Sequence, residues 1–209
     1  LYPNWSTAHQ GSAEDGLTEM DLSGNPDGAL WVPAECDTTI REHNWHWAPD
    51  TEDSLLSLEH LMGLYYRSVG RNSNLLLNVS PNRDGLIPNG DVQRLREFGH
   101  EIRRRFPADV TATHGHGDQI ELELDGSRRV NHVVIMEDIS HGERILEYVV
   151  EAVSPDGSWR PLCSGESVGH KRIEQFDAVS TSRIRLRVTK AKAEPRVRRL
   201  AAHYVAEDE

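Results

Sequence analysis

Around Pro107 the apolar residues change from three- and four-residue steps to strict alternation, so the chain must combine helix-based with sheet-based packing. Upstream, Leu55, Leu58, Met62, Tyr65 and Val69 recur at helical spacing after Ser54, with Gly70 as a stop, and predict one amphipathic helix. Val92, Leu95, Phe98 and Ile102 predict a second helix, with Pro107 just past its end. Between them, Leu75-Leu76-Leu77-Asn78-Val79 is a continuous apolar run, the pattern of a strand buried on both faces. Leu30-Trp31-Val32 reads as a short strand. Residues 6–28 read as a surface loop ending in the turn Asn25-Pro26-Asp27-Gly28. Helix, buried strand and helix form part of an α/β architecture. They amount to about two βα units, whereas a (β/α)8 barrel needs roughly 250 residues. The apolar faces of these elements need partners beyond what this half supplies.

Downstream the chain reads as all-β. Ile120, Leu122 and Leu124 alternate with Glu121, Glu123 and Asp125, and Ile184, Leu186 and Val188 alternate with arginines. Val133-Val134-Ile135-Met136 and Tyr148-Val149-Val150 are further strands, and Asp125-Gly126, His141-Gly142 and Asp156-Gly157 are turn signals between strands. Short strands at this spacing predict a jelly-roll β-sandwich. The expected division is residues 1–107, an incomplete α/β domain, and residues 108–209, a β-sandwich.

The formal net charge of −11 speaks against a phosphate-backbone partner, since nucleic-acid binding rests on a basic surface. No apolar run approaches the ~20 residues of a membrane-spanning helix. Cys36 and Cys163 lie far apart, outside any C-x-x-C pattern, so neither a disulfide framework nor a structural zinc site is expected. Asn4-Trp5-Ser6 fits a glycosylation sequon, a pattern common by chance. Localisation and oligomeric state are left open.

The most informative stretch for chemistry is Trp31-Val32-Pro33-Ala34-Glu35-Cys36-Asp37. It offers Glu35 as a carboxylate just past a strand end, where barrel enzymes place catalytic groups. Beside Trp31 and Pro33 such a carboxyl can stay protonated, as glycoside hydrolysis requires of its acid. Trp45-His46-Trp47 adds aromatic rings suited to the C–H faces of sugars, although tryptophans in such a cluster also serve to pack a loop on a core. His43 and His46 make a poor metal pair. His114-Gly115-His116-Gly117 reads as a loop, not a metal site. Neither G-x-S-x-G nor a nucleotide-binding fingerprint is present.

Taken together, the motifs resemble a known family. Trp31-Val32-Pro33-Ala34-Glu35-Cys36-Asp37-Thr38-Thr39-Ile40-Arg41 resembles the W-[IV]-P-A-E-[CV]-D-x-S-I-R segment of α-L-fucosidases of glycoside hydrolase family 29. Tyr65-Tyr66-Arg67-Ser68-Val69-Gly70-Arg71-Asn72 followed by Leu75-Leu76-Leu77-Asn78 is similar to that family's Y-Y-x-S-V-G-R-N-x-x-L-L-L-N. Asp84-Gly85-Leu86-Ile87 and Asp91-Val92-x-Arg94-Leu95 continue the match. In the second half Val134 to Ile139, Gly142 to Ile145 and Ser167 to Ile173 resemble the galactose-binding-like sandwich that follows the barrel.

The resemblance implies the last βα units of a (β/α)8 barrel plus a sandwich, in a retaining hydrolase of terminal α-L-fucosyl linkages. Its two carboxylates would stand ~5–5.5 Å apart, and it would need neither metal nor organic cofactor. By motif position Glu35 matches the acid/base, and Trp45 and Trp47 fall where the family has an aromatic part of the pocket. There Glu42-His43-Asn44 replace the family's Pro-Gly. The nucleophilic Asp belongs to a W-F-D-G-like motif that these residues lack, so the isolated chain is expected to be inactive. The P-A-E-C-D variant resembles the branch preferring α-1,3/1,4-linked fucose. The expected partner is a fucosylated glycan, with no nucleic acid or membrane. The sandwich is shortened between Thr113 and Asp118, which speaks against sugar binding by the sandwich itself. A non-catalytic carbohydrate-binding or interaction module is the rival reading.

Overall fold

The structure is a computed structural model that describes residues 5–8, 24–42 and 44–206. The sequon residue Asn4, His43 and most of the expected loop over 6–28 lie outside the described residues. In chain order the elements are β1 (Thr7–Ala8), β2 (Leu30–Trp31), β3 (Glu35–Thr39), α1 (Leu58–Arg67), β4 (Asn74–Asn78), α2 (Asn89–Arg105), β5 (Ala112–His116), β6 (Gln119–Glu137), β7 (Ile145–Val153), β8 (Trp159–Glu166), β9 (Arg172–Ala191) and β10 (Arg196–His203). Short 3-10 turns occupy Glu52–Ser54 and Ile139–His141. The chain forms two compact units. One holds residues 35–69 and 73–108, and the other holds the described residues up to 34, residues 70–72 and those from 109 on. The chain therefore passes between units at several places, of which the change near Pro107 is one.

In the helical unit β3 and β4 pair in parallel, Glu35 opposite Asn74 and Thr39 opposite Asn78. Parallel neighbours need a crossover, and α1 supplies it. The helix starts at Leu58, later than the periodicity predicts, because Ser57 caps it by accepting a hydrogen bond from His60 N at 3.1 Å. Leu55 instead follows the 3-10 turn. The inner faces of α1 and α2 meet through Tyr65 and Phe98, with ring centroids 6.2 Å apart and nearly perpendicular. In the Leu75-Leu76-Leu77 run Leu76 is 48% exposed, in keeping with a strand whose partners this half does not supply. A two-stranded sheet has too few neighbours to cover both of its faces.

A buried ion pair fixes the C-terminal end of β3. Arg41 donates to both oxygens of Asp91 in the first turn of α2, at 3.3 and 2.6 Å, to Thr51 O at 2.6 Å and to Glu52 Oε2 at 3.0 Å. Burial opposes the guanidinium charge, but the bonds to Asp91 and Glu52 outweigh it and raise the Arg41 pKa. Arg94, one turn along α2, donates to Leu56 O.

The β-rich unit is built on one antiparallel sheet in the order β5-β10-β6-β9-β7-β8. The alternation around Ile120 and Ile184 is correct, as are the breaks at His141-Gly142 and Asp156-Gly157, but the third expected break is not. Asp125-Gly126 is no turn between strands: β6 and β9 run through as single long strands whose register shifts between Glu123 and Arg128. Extra residues on one strand bend it, and the sheet becomes sandwich-like, gathering Ile120 and Leu122 from one end of β6 and Val133 and Ile135 from the other into one core with Ile145, Tyr148, Ile184, Leu186 and Leu200. His114 and His116 lie on edge strand β5, not in a loop, because β10 satisfies its backbone.

The three second-half segments that carry the family resemblance converge on buried carboxylates. Glu137 Oε1 accepts from Arg144 N and Ile145 N, and its Oε2 accepts from Gly169 N, all at 2.8–3.0 Å. Burial pushes its pKa up to about 7 against the pull of these N–H groups. Glu143 accepts from Ser6 N at 3.0 Å and from Asn72 Nδ2 at 2.6 Å, while Asn72 Oδ1 accepts from His170 N. A Cβ on Gly169, at φ +58°, would lie 2.3 Å from the Asn72 amide, so the turn must be glycine. The Gly70–Asn72 segment is thus stitched into the sheet.

Burial, with Arg199, His132 and Lys171 nearby, lowers the pKa of His203 to about 4. The fold holds the neutral form, so its contribution is complete above the unfolded value near 6.5 and is lost as pH falls toward 4. That contribution is about 3 kcal/mol. Urea titrations at pH 7 and pH 4.5 should show His203→Leu losing less stability on acidification than the parent. Equal losses would remove His203 as a source of acid sensitivity.

Candidate functional site

Parallel strands end at a common edge, and groups on the loops beyond their C-terminal ends converge there. In the helical unit those loops are residues 44–50, after β3, and residues 80–83, after β4. Thr39 Oγ1 donates to Asn44 O at 2.8 Å and anchors the first loop to its strand. Asn78 Nδ2 and Ser80 Oγ both donate to Trp45 O, at 2.8 and 2.6 Å, and tie it to the end of β4. With its backbone held from two sides, Trp45 leaves its side chain 50% exposed.

Beside it an open depression of about 430 Å³ is lined by His46, Trp47 and Pro49 from one loop and Ser80, Asn82 and Arg83 from the other. The Arg83 guanidinium lies 6.0 Å from the centroid of the Trp47 ring. An exposed indole, a second indole and hydrogen-bonding groups on a rigid loop pair can stack on an apolar sugar face and bond its hydroxyls.

Glu35 lies elsewhere. It opens β3, so four residue steps of ~3.3 Å, about 13 Å, separate it from Thr39 and the loops. Trp31 closes β2, and three residues later the chain enters the next strand at Glu35 itself. The side chain is exposed and accepts one hydrogen bond, from Asn74 Nδ2 at 2.9 Å across the parallel pair. The structure brings Trp45 and Trp47 onto one loop and does not bring Glu35 to them. Sequence reasoning missed Ser80 and Arg83, whose only signal was their place just after the Leu75-Leu76-Leu77-Asn78 strand.

Cys36 and Cys163 are both free thiols. Burial beside Glu174 pushes the pKa of Cys163 up to about 12, leaving it a poor nucleophile. Among the described residues no group of His, Cys, Asp or Glu side chains is placed to hold a metal ion, and no helix is long and apolar enough to cross a membrane.

Residues 5–104 match the family model described as alpha-L-fucosidase. Alpha-L-fucosidase 1 of Arabidopsis thaliana is 33% identical over 229 residues, covering 91% of this chain and 45% of that protein. A crystal structure from Bacteroides thetaiotaomicron VPI-5482, of a protein provisionally named an alpha-L-fucosidase, superposes with a TM-score of 0.92 at 40% identity, over 99% of this chain and 49% of its own. A glycoside hydrolase 29 family member from an unknown rumen bacterium does so with a TM-score of 0.81 at 30% identity, over 99% of this chain and 38% of its own. The chain spans about half the length of the curated relatives it matches.

Proposed function

From the membership of this chain in the alpha-L-fucosidase family, we propose that it works as the C-terminal part of a retaining alpha-L-fucosidase, its helical unit closing a (β/α)8 barrel and its β-rich unit forming the jelly-roll sandwich that follows in the chain. The observation that carries this reading is the pair of loops at the C-terminal ends of β3 and β4, which hold Trp45, Trp47, Ser80 and Arg83 on one edge. The substrate is a glycan with a terminal α-L-fucosyl group, α-1,3/1,4-linked by the motif variant. The tryptophans face the sugar, and the nucleophile comes from a strand outside these residues.

The motif lends Glu35 the acid/base role, and the geometry of β3 speaks for a different one. An acid/base must reach the glycosidic oxygen within ~3 Å and keep its proton near neutral pH, which demands apolar cover. Glu35 is exposed, at the far end of the strand from the loops, and ties β3 to β4 through Asn74. On this reading the acid/base is another carboxylate on the C-terminal side of the barrel.

Two measurements test the proposal. The intact protein that carries this chain should release 4-nitrophenol from its α-L-fucoside with retention of configuration, while the 209-residue chain alone should not. Failure of the intact protein, or turnover by the chain alone, overturns the reading. Glu35→Gln in the intact protein should lower kcat less than tenfold. A loss of ~10²–10⁴-fold, restored by azide or by an activated leaving group, would return the acid/base role to Glu35.

A further inference from the structure

The β-rich unit carries a second concave surface, of about 450 Å³, where β7 and β8 meet the two ends of β9. It is lined by Glu147, Tyr148, Ser164, Glu166, Arg172 and Thr189. Its volume falls within the ~300–1,000 Å³ of small-molecule sites.

The floor is a buried polar cluster centred on one oxygen. Glu174 Oε1 accepts from Tyr148 Oη at 2.6 Å, Arg172 Nε at 2.7 Å and Arg71 Nη1 at 3.3 Å. Gly165 makes room for it, because a Cβ there would lie 2.4 Å from Tyr148 Oη. The Arg172 side chain is only 8% exposed, yet only its Nε is engaged. Among the described residues its two terminal nitrogens have no hydrogen-bond partner. Neither nitrogen is among the sealed, unpaired polar atoms of the described residues, so both remain open to a hydrogen-bond acceptor in the cavity.

The rim supplies the opposite chemistry. The strand register sets Glu147 directly across from Glu166. Like charges so placed destabilise a sheet. Lys190 Nζ stands 3.3 Å from Glu147 Oε1 and offsets one of them, while Glu166 has no such cation among the described residues. Acceptors at the rim, donors in the floor and the hydroxyls of Ser164 and Thr189 between them fit a ligand that both donates and accepts. An anion would meet two carboxylates, and an apolar ligand would leave every group unpaired.

We propose that this cavity is a non-catalytic binding site for a neutral sugar of monosaccharide size, with adjacent hydroxyl oxygens accepting from the Arg172 guanidinium and hydroxyl protons donated to Glu147 and Glu166. The site stands independently of the hydrolase reading, because every residue in it belongs to the β-rich unit.

The test uses the 209-residue chain carrying Trp45→Ala and Trp47→Ala, so that the depression in the helical unit cannot answer in its place. Calorimetric titration with D-glucose, D-galactose and L-fucose as neutral probes, and D-glucuronate as an anionic one, should show saturable millimolar binding of at least one neutral sugar. Glu166→Ala should weaken it at least fivefold while the melting temperature stays level or rises, since the substitution also removes the Glu147–Glu166 repulsion. No saturable binding, binding indifferent to Glu166→Ala, or tighter binding of glucuronate than of every neutral sugar would each overturn the proposal. Loss of aryl fucosidase activity in the intact protein would leave these outcomes untouched.

Discussion

Replacing Asp91 by Ala should destabilise the helical unit by about 3–5 kcal/mol, the range for breaking a buried charge pair by removing one partner. Arg41 and Asp91 are 3% and 1% exposed, so the guanidinium cannot turn to water when its carboxylate is gone. What remains is Glu52, whose side chain is 64% exposed and whose contact is correspondingly weak. The loss should be larger than for either residue's ordinary truncation, because Arg41 also holds Thr51 O and so the entry to the 3-10 turn. Asp91→Asn keeps an acceptor for one of the two bonds and should lose less. Urea unfolding followed by tryptophan fluorescence, with the loop residues Trp45 and Trp47 as reporters in this unit, checks both. A loss below 1 kcal/mol for Asp91→Ala would mean that the pair is not the clamp its geometry describes.

The second large effect concerns substrate. Removing Trp45 and Trp47 together from the intact protein should lower kcat/KM on aryl α-L-fucosides by at least tenfold. A buried aromatic or large aliphatic surface contributes about 1.5–3 kcal/mol, and each 1.4 kcal/mol is a factor of ten. If the rings only hold the sugar, KM rises and kcat stays, the signature of binding shared by ground and transition states. Trp45→Phe should retain more activity than Trp45→Ala, since a smaller ring still offers a face. A protein that keeps full kcat/KM without both indoles would place the sugar elsewhere and leave these residues as loop packing.

The motif residues turn out to divide by task in a way their spacing does not disclose. Ile40 and Arg41 close the first motif, and both are buried in the fold. In the second, Tyr65 packs the helix pair, Ser68 Oγ bonds Leu64 O at the helix end, and Asn72 joins Glu143 and His170 in the sheet. Val168, Gly169 and Ile173 likewise serve the sheet's core or its hydrogen-bond network. A long recognisable segment marks family because many of its residues are needed to build the scaffold. Only a few can touch a substrate. Glu35 has aromatic neighbours in sequence and is the exposed first residue of β3.

The sequence by itself determined the two helices and the cores of β4, β6, β7 and β9, since 3.6- and 2-residue periods bury different sets of side chains, but it did not disclose β3, β5, β8 or β10. It also determined the family, through motifs too long to arise by chance. It did not determine where strands end. Asp125-Gly126 has the residues of a turn, and only the pairing of β6 with β9 on both sides of it made it a bend within one strand. Nor did it determine which residues share a site. Whether a side chain lies at the C-terminal or the N-terminal end of a parallel pair depends on register and crossover, which are properties of two strands together. That tertiary relation set Trp45 and Ser80 on one edge and Glu35 about four residue steps away from it.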